Sequence, residues 1–466
     1  MKQALWLAED AAAATGGHLI GADSWIASGV SIDSRALEAG DLFVALKDAR
    51  DGHDFLDAAY AAGASAALVS DAEKARGPAL VVPDVLEALR RLADVARERS
   101  SAKRIGITGS VGKTSTKEAV AVCLAASGKT HAAVKSFNNH WGVPLTLSRL
   151  PPDAQYGVFE MGMNHRGEIL PLTTLVKPHV AIVTWIAPAH VENLGSLEAV
   201  ADEKGDVFAG LEPEGTALVP NEAPHASRLL AAAEANAANI VRFGRAPECE
   251  ARLLKFEMVD GGSIAEADIL GRQIRYRIGA EGAHWALNSV AALAAADLAG
   301  ADLFAAAHAL AAFKAPDGRG ASATIQAAFG SFVLVDDSYN ANPTSMVAAL
   351  STLGARGVGE GGRRIAALGD MLELGADERA YHAGLATPIE SAGVDLVFAA
   401  GPRMAALFEA LPPSLRGGYA ETADALIPVI AGAIRAGDVV LVKGSNGSRM
   451  MNVVQALTRL QTSGDA

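Results

Sequence analysis

The first hundred residues alternate short apolar runs with apolar residues at helical spacing. The runs 41–46 and 66–70 are typical of buried strands, and the segment between them has the spacing of a helix. Residues 85–100 again carry apolar side chains at helical spacing and end in a charged run, which is typical of a domain boundary. The pattern predicts a small N-terminal α/β domain over residues 1–102.

A second unit begins with a strand, a glycine-containing turn and a helix. The strand is predicted over 103–108 and the helix from about Lys113. Further apolar runs predict strands at 156–161, 180–185 and 216–221. Because these strands alternate with helix-like stretches, we expect a parallel sheet.

The pattern of apolar and polar residues changes after residue 240. Short alternating strands between 240 and 279 indicate a β-rich appendage, and residues 288–313 indicate one or two Ala-rich helices. The stretch 314–322 is rich in Pro, Gly and Asp, as in a turn-rich connection. We therefore predict a central domain over 103–318.

Beyond residue 318, four short apolar runs each end in a polar or glycine-rich loop. They are FVLVDDSYNANP, RRIAALGDMLELG, VDLVFAAGPRM and DVVLVKGSNGSRM. The pattern predicts a doubly wound, Rossmann-like domain over 319–466, whose ligands would bind at the carboxyl ends of the strands. The whole chain is predicted to be an α/β protein of three domains.

Composition and charge narrow the classes of ligand. The 466 residues include 40 Lys and Arg against 53 Asp and Glu, a formal net charge of −13, which argues against nucleic acid or an anionic membrane as a partner. The only two cysteines, Cys123 and Cys249, argue against a disulfide framework. Since no apolar run reaches the roughly 20 residues of a membrane span, we expect a cytoplasmic protein without membrane insertion.

The strongest local signal is GITGSVGKTSTKE, between the predicted strand and helix. Backbone N–H groups of a glycine-rich turn at a helix N-terminus bind anions, a lysine adds a cation for the phosphates, and a hydroxyl can ligate Mg²⁺. The spacing is the short G-x-x-G-K-T, and an ordinary glycine-rich turn is the alternative interpretation. The predicted phosphate-binding residues are Gly109, Ser110, Val111, Gly112, Lys113, Thr114 and Ser115.

Other polar residues near predicted strand ends carry weaker signals. Glu160 ends a strand where a Mg²⁺ ligand would belong, but a solvated carboxylate fits the position equally well. Taken singly, His190 and Lys204 are more typical of an ordinary loop histidine and a solvated helix lysine. Arg319 could reach a phosphate across a cleft, although an arginine in such a connection is more often solvated. Asp337 could accept from a ribose hydroxyl, and turn chemistry is the alternative there.

Taken together, these segments resemble the Mur ligase family of peptidoglycan synthesis. Each motif alone is modestly specific, whereas the ordered set covers nearly the whole chain and is very specific. It consists of SIDSRALEAGDLFVALKDARDGHDFLDAAYAAGASAALV, TGSVGKTSTKE, SFNNHWGVPLTL, EMGMNHRGEI, APAHVENLGS, DDSYNANPTSM, LGDMLELG and VKGSNGSRMMNVV.

The resemblance implies roles for the residues at the predicted strand ends. Thr114, Glu160 and His190 match the family's Mg²⁺ ligands, and the resemblance implies two Mg²⁺ ions. Lys204 matches a lysine that the family carries as a carbamate, formed from its amine and CO₂, which adds a further metal ligand. Lys113 and Arg319 match the cations that act on the transferred phosphate, so the implied catalytic residues are Lys113, His190, Lys204 and Arg319.

The resemblance also implies which residues contact the nucleotide and the substrates. His284 and Asn288 match the stretch that contacts adenine, although Trp285 stands where the family commonly has Asn. Asp337 matches an acid that contacts the ribose. The implied substrate-binding residues are Ser34 and Arg35 for the uridine nucleotide, Asn138 and Asn139 for the muramoyl part, and Asn164, Asn340 and Asn342.

The implied activity is ATP-dependent amide formation through an acyl phosphate. The NANP and GDMLELG segments point to the branch of the family that adds D-alanyl-D-alanine to UDP-N-acetylmuramoyl-tripeptide, acting as a monomer. The third peptide residue, diaminopimelate or lysine, stays open. The alternatives are another Mur ligase or a folylpolyglutamate synthase-like ligase and, more remotely, a P-loop regulatory protein. A regulatory protein would be expected to carry a D-x-x-G switch, which is absent at the expected place.

Overall fold

Three large β-sheets flanked by helices, and one two-stranded sheet, make up the described part of the chain, and the predicted α/β class is confirmed. The computed structural model describes residues 4–134 and 136–462, so the predicted domains 1–102, 103–318 and 319–466 include a few residues outside this range. The strands of the three sheets lie within 18–81, 103–278 and 321–443. The exact limits at 102 and 318 stay predictions.

The N-terminal sheet has five strands in the order β2-β7-β6-β5-β4, and only β2 is antiparallel to its neighbour. A separate two-stranded pair joins β1 and β3. The strands are β1 (Trp6–Leu7), β2 (His18–Ile20), β3 (Ile26–Ala27), β4 (Gly29–Ser31), β5 (Asp41–Val44), β6 (Ala66–Val69) and β7 (Ala79–Val81), and the helices are α1 (Ala8–Thr15), α2 (Leu56–Ala61) and α3 (Val85–Glu98).

The central sheet has nine strands in the order β16-β15-β14-β13-β12-β11-β8-β10-β9. Its strands are β8 (Lys103–Thr108), β9 (Thr130–Ala132), β10 (Tyr156–Glu160), β11 (Val180–Val183), β12 (Thr216–Pro220), β13 (Asn239–Gly244), β14 (Ala251–Val259), β15 (Gly262–Ile269) and β16 (Arg272–Ile278). Its helices are α4 (Lys113–Ala125), α5 (Gly142–Ser148), α6 (Ile169–Val176), α7 (Val191–Leu194), α8 (Leu197–Gly205), α9 (Ala226–Asn236), α10 (Ala283–Leu298) and α11 (Leu303–Ala309).

The strands expected as an appendage instead continue the central sheet. β14 pairs in parallel with β13 through Phe243 and Gly244, and β15 and β16 then add two antiparallel pairings. The inward residues of β16, Ile274 and Tyr276, are buried under α10, while its Arg275 and Arg277 are exposed. This alternation is that of an antiparallel sheet with one covered face.

The C-terminal sheet has six strands in the order β17-β18-β22-β19-β20-β21, and all its pairings except β17–β18 are parallel. Apolar cores lie on both of its faces, as the prediction of a doubly wound domain requires. The strands are β17 (Ala321–Ala327), β18 (Gly330–Asp337), β19 (Arg364–Gly369), β20 (Leu396–Ala400), β21 (Arg416–Ala420) and β22 (Val439–Lys443), and the helices are α12 (Pro343–Ala355), α13 (Glu378–Ala383), α14 (Ala386–Ser391), α15 (Ala405–Ala410), α16 (Ala423–Ala431) and α17 (Met451–Thr458).

The N-terminal and central domains share buried side chains. Ala93 of α3 belongs to the core of the central domain, and Leu145 of α5 belongs to the core of the N-terminal domain. The indole N–H of Trp6, which is 1% exposed, donates to the carbonyl of Ser148 at 3.0 Å. Burying these apolar groups together stabilises the contact between the two domains.

The central and C-terminal domains meet through polar contacts. The guanidinium of Arg356, at the end of α12, lies 2.7 Å from the carboxylate of Glu281, just before α10, and both side chains are largely buried. Phe313, at the start of the connection between the domains, is 3% exposed and packs in the core of the central domain. Over the described residues, no helix is long and apolar enough to cross a membrane.

A buried carboxylate joins two strands of the C-terminal sheet and gives a first test of the fold. Asp438, with no exposed side-chain surface, accepts from the N–H groups of Arg363 and Arg435 at 2.9 Å and pairs with the Arg363 guanidinium at 2.7 Å. Asp438→Ala leaves these donors without their acceptor, so we expect the free energy of opening of β19 and β22 to fall by about 3 kcal/mol. Hydrogen exchange of the amides in these strands measures it.

Glu409→Ala serves as the control, because Glu409 pairs with Arg379 at 2.9 Å on the surface of the same domain. An exposed ion pair contributes little to stability, so exchange in β19 and β22 should stay at the wild-type rate. Equal effects of the two substitutions would contradict the structural role of Asp438.

Candidate active site

A cavity of about 490 Å³ lies where the central and C-terminal domains face each other. The carboxyl ends of β8, β10 and β11 open into it from the central sheet, and those of β18 and β22 from the C-terminal sheet. This is the position at which sheets of parallel strands bind ligands. The predicted residues that line it are Ser110, Val111, Gly112, Lys113, Thr114, Ser115, Asn138, Asn139, Glu160, Asn164, His190, His284, Asn288, Arg319, Asp337, Asn340 and Asn342.

The glycine-rich turn between β8 and α4 forms the floor of the cavity. Gly109 and Gly112 have φ angles of 148° and 83°, and a Cβ on Gly109 would collide with the hydroxyl of Thr184. Glycine is therefore required at Gly109 by the close approach of another strand end. The turn is held by Thr184, whose hydroxyl donates to the carbonyl of Val111 at 2.5 Å.

The N-terminus of α4 faces the cavity with its backbone amides. No side chain of a described residue caps this helix, and the buried hydroxyl of Ser110 has no hydrogen-bond partner in the described parts of the chain. Lys113 begins the helix, and its ammonium donates to the carbonyl of Gly109 at 2.7 Å. Uncapped amides, a free hydroxyl and a lysine are together suited to bind phosphate groups.

Thr114 and Glu160 place two side chains with oxygen atoms beside this turn. The Thr114 hydroxyl donates to the Glu160 carboxylate at 2.8 Å, and the amide of Asn138 donates to the other carboxylate oxygen at 2.8 Å. Glu160 is 1% exposed. Within the described ranges, no three His, Cys, Asp or Glu side chains come together to hold a metal by themselves. A hydroxyl and one carboxylate beside a phosphate site suit Mg²⁺, which commonly takes its other ligands from water and phosphate.

His190 reaches the cavity from the start of α7. Its backbone has a φ of 58°, and its Nδ1 lies 2.6 Å from a carboxylate oxygen of Glu373 in the C-terminal domain. Burial and the positive charge of Lys113 lower the pKa of His190. The negative charge of Glu373 acts in the opposite direction. The lowered pKa favours the neutral imidazole, the form that can ligate a metal.

Lys204 is fully buried rather than solvated. It lies in the last turn of α8, is 1% exposed and does not line the cavity. Burial, reinforced by the charge of Lys113, lowers the pKa of Lys204 well below its ordinary value. The helix lysine that the sequence alone would make a surface residue is therefore an amine whose neutral form is favoured.

The C-terminal domain supplies an arginine and an acid. The Arg319 guanidinium lies 4.2 Å from the ring centre of Tyr339, a cation–π contact that holds it beside the cavity. Asp337 pairs with the ammonium of Lys443 at 2.7 Å. Burial raises the pKa of Asp337, and Lys443 opposes this shift.

The start of α10 places His284 and Asn288 on the cavity wall. His284 Nδ1 is buried and has no hydrogen-bond partner among the residues described, and burial lowers the pKa of this histidine to about 4. Trp285, next to it, does not line the cavity: it is 2% exposed and packs 5.0 Å from the ring of Phe313. The tryptophan at this position is therefore part of the hydrophobic core rather than of the cavity wall.

Three of the predicted asparagines accept from backbone N–H groups of nearby residues. Asn342 caps α12 by accepting from the Ser345 N–H at 2.9 Å, in a reciprocal capping box. Asn340 accepts from the N–H of Ala341, and Asn139 accepts from the N–H of Gly142, both at 2.9 Å. These three asparagines therefore stabilise local turns and a helix end, and they also line the cavity.

Besides Lys204, three residues that the sequence grouped with the others for direct contact lie outside this cavity. Ser34 and Arg35 follow β4 in the N-terminal domain, where the exposed Arg35 pairs with Asp33 at 2.8 Å. Gly109 shapes the turn without lining the cavity. Asn164 is on the wall, in a loop that is held by Glu203, a buried acid that accepts from three successive N–H groups of residues 167–169 at 2.7 to 3.0 Å.

Sequence reasoning missed several residues of the wall. Lys443 lines the wall and could have been found, since it ends a predicted strand of the same domain as Asp337. Glu373, which touches His190 without lining the cavity, could not, because this contact depends on how two domains dock. The other missed residues are Ser136, Gly162, Met163, Glu168, Thr184, Trp185, Leu287, Gly318, Tyr339, Ala341, Thr344, Ser345, Ala348 and Ala349.

Comparison with known proteins identifies the family. Family models match in three successive segments: the Mur ligase family catalytic domain at 27–97, the Mur ligase middle domain at 107–296, and the Mur ligase glutamate ligase domain at 323–446. The glycine-rich turn, Glu160, His190 and Lys204 lie within the middle match, and Asp337 and Glu373 lie within the third.

Whole-length relatives carry one function in their names. The UDP-N-acetylmuramoyl-tripeptide--D-alanyl-D-alanine ligase of Escherichia coli (strain K12) is 37% identical, over 95% of this chain and 96% of its own length. The ligase of the same name from Bacillus subtilis (strain 168) is 32% identical, over 92% and 93%. The crystal structure of MurF from Acinetobacter baumannii superposes with a TM-score of 0.84 at 29% identity, covering 97% of this chain and 99% of that one. With its fold and its motifs matched along the whole length, the chain belongs to the Mur ligase family.

Proposed function

We propose that the protein joins D-alanyl-D-alanine to the terminal carboxylate of UDP-N-acetylmuramoyl-tripeptide, with conversion of ATP to ADP and phosphate. The observation that carries this is one cavity in which the phosphate-binding turn and the Thr114–Glu160 pair face Arg319 and Asp337 of another domain. The whole-length relatives bear the name of this activity. The Thermotoga maritima MurF structure, similar in fold with a TM-score of 0.75, is a complex with ADP.

The chemistry requires activation of a carboxylate, which is a poor electrophile. The substrate carboxylate attacks the γ-phosphorus of ATP, and ADP leaves as an acyl phosphate forms. The amine of the dipeptide then attacks the acyl carbon, and the tetrahedral intermediate expels phosphate and loses a proton. No side chain forms a covalent intermediate, so the protein acts by placing the reactants and by balancing charge.

The residues of the cavity divide this work. The amides of the turn and the ammonium of Lys113 would hold the β- and γ-phosphates, with Arg319 reaching the γ-phosphate from the other domain. His284 and Asn288 would contact adenine, and Asp337 would accept from the ribose. Because cations stand on both sides of the phosphates, negative charge is balanced as it moves during transfer.

Thr114 and Glu160 would hold a Mg²⁺ ion together with phosphate oxygens, and His190 would serve a second ion. Such ions neutralise phosphate charge and polarise the bonds being broken. The residues present fit this assignment, because a hydroxyl, a buried carboxylate and a neutral imidazole lie on one wall of the cavity.

Lys204 is proposed to carry a carbamate. Its depressed pKa favours the neutral amine, which is the form that adds CO₂: a nitrogen–carbon bond forms and a proton is released. The product replaces a buried cation by an anion, and this anion would balance Lys113 and help to hold the second Mg²⁺.

The peptide substrates would bind around the mouth of the cavity. Asn138, Asn139 and Asn164 would contact the muramoyl-peptide part, and Ser34 and Arg35 of the N-terminal domain its uridine nucleotide. Asn340 and Asn342 would lie near the dipeptide. We further propose that the protein acts as a monomer in the cytoplasm, where ATP and soluble precursors are available.

The activity is tested by ADP release from purified enzyme. Continued release over many turnovers should require both UDP-N-acetylmuramoyl-tripeptide and D-alanyl-D-alanine, because without the acceptor amine the acyl phosphate stays on the enzyme and blocks the next turnover. Release should stop when EDTA removes Mg²⁺. Tripeptides ending in diaminopimelate and in lysine, assayed side by side, identify the third residue. L-alanyl-L-alanine and single amino acids are the matched control acceptors.

A preference for a single amino acid as acceptor would instead identify another ligase of the family. ATP hydrolysis that ignores both substrates and responds to a protein partner would contradict the ligase assignment altogether.

The carbamate is tested by removing its lysine. Lys204→Ala should lower kcat about 100-fold or more, since it removes a charge that acts on the transferred phosphate. Added acetate or formate should restore part of the activity by placing a carboxylate where the carbamate was. The control is Lys255→Ala, which alters an exposed lysine of β14, and neither its activity nor its response to acetate should change. A Lys204→Ala enzyme with wild-type turnover would refute the role of Lys204.

A further inference from the structure

Glu373 brings the charge of one domain to a side chain of another. It follows β19 in the C-terminal domain, in the segment GDMLELG. One of its carboxylate oxygens lies 2.6 Å from Nδ1 of His190, which belongs to the central domain. Neither the proposed phosphate chemistry nor the proposed metal ligands use this carboxylate.

The backbone conformation fixes the positions of both Glu373 and His190. Glu373 and His190 have φ angles of 62° and 58°, in the left-handed region that residues other than glycine seldom adopt. Such conformations persist where the surrounding structure imposes them. Leu374 and Met371, on either side of Glu373, are 2% and 0% exposed in the core of their domain. The carboxylate is therefore carried by an anchored segment, although the side chain itself is half exposed.

The neighbouring chain strengthens the contact between the domains. The short helical turn Gly375–Asp377 follows Glu373 and packs against α7, which begins directly after His190. The position of Glu373 relative to His190 is thus set by the docking of two pieces of backbone. Any separation of the two domains at this point withdraws the carboxylate from the imidazole.

A carboxylate at one ring nitrogen determines what the other can do. A neutral imidazole that keeps its proton on Nδ1, beside an acceptor, offers the lone pair of Nε2 to a metal. The contact with Glu373 is close, but among the described residues Nδ1 of His190 has no acceptor in full hydrogen-bond geometry. Such contacts commonly tighten when a ligand completes the site.

We propose that Glu373 is a positioning residue that fixes the His190 imidazole with Nε2 toward the cavity, so that docking of the C-terminal domain raises the affinity for a divalent cation. The inference rests on the proposed function, because it assigns His190 a cation. It adds a residue outside the ligand set and a physical link between domain docking and cation binding. The opposite arrangement, in which the carboxylate competes with the cation for the imidazole, predicts the opposite change in affinity.

Mn²⁺ titration of the full chain, followed by electron paramagnetic resonance with a non-hydrolysable ATP analogue bound, tests the proposal. Glu373→Ala should weaken Mn²⁺ binding about 10- to 100-fold, the usual effect of losing a carboxylate behind a metal-binding histidine. Glu373→Gln, which retains an acceptor without the charge, should fall between. In the assay, excess Mg²⁺ should restore the kcat of Glu373→Ala, which a merely structural defect would not allow.

Glu192→Ala is the matched control. Glu192 is an exposed acid of α7, two positions from His190, so this variant also removes one negative charge near the imidazole. Its Mn²⁺ affinity should stay close to that of the wild type. An equal loss in both variants would reduce the effect to general charge and overturn the proposal.

Nitrogen NMR of ¹⁵N-histidine-labelled protein gives a readout that needs neither metal nor turnover. With the His190 signal assigned through a His190→Gln variant, the wild type should show the proton on Nδ1, and Glu373→Ala should shift it toward Nε2. Unchanged tautomers, or unchanged or tighter Mn²⁺ binding in Glu373→Ala, would overturn the role of Glu373 while leaving the ligase activity intact. Ligase turnover that persists without divalent cations would instead overturn the metal site of the proposed function.

Discussion

Buried positive charge is the constraint on which the site depends. Lys113 and Lys204 both have pKa values lowered by burial, and the charge of Lys113 lowers that of Lys204 further. Lys113 is half-buried on the cavity wall, and Lys204 is fully buried. An ammonium group withdrawn from water beside another positive charge is costly unless an anion accompanies it. Glu160 supplies part of the compensation, and the cavity in front of Lys113 is built to receive the rest. A polyphosphate bound in the cavity would supply this negative charge, and a carbamate on Lys204 would supply more of it.

This constraint explains why two domains are needed. A single sheet offers the glycine-rich turn and one acid, while the other domain adds Arg319, fixed on Tyr339, and Asp337, paired with Lys443. The Arg356–Glu281 and Glu373–His190 contacts join the two halves around the cavity. In the proposed mechanism the reaction would proceed only when both halves are docked, and docking would shield the acyl phosphate from water.

Much of the site could be predicted because it lies at strand ends. Parallel pairing of β8 with β10 and β11 brings the glycine-rich turn and Glu160 to one edge of the sheet, so motifs distant in sequence must meet there. The direction of single side chains was harder to predict. Trp285 faces the core because of its phase on α10, and Lys204 is buried because α8 turns that face inward.

Contacts between domains could not be predicted from the sequence. The pairing of His190 with Glu373 depends on the relative placement of two sheets, which no local pattern encodes. The continuation of the central sheet by β14 to β16 was missed for a related reason: alternating hairpins have the same pattern whether they extend a sheet or stand apart. The residue types of the motifs determined the chemistry, and the docking determined which of them act together.

The central claim is that nucleotide phosphate is held from both domains at once. Calorimetric titration with a non-hydrolysable ATP analogue and Mg²⁺ tests it, using Lys113→Met in the central domain, Arg319→Met in the C-terminal domain, and Lys255→Met as a surface control. Each of the first two should weaken binding about 10-fold or more, because each removes a charge from a phosphate, while the control should bind as the wild type does. Wild-type affinity in Arg319→Met would show that the central domain holds the nucleotide alone and would contradict the account.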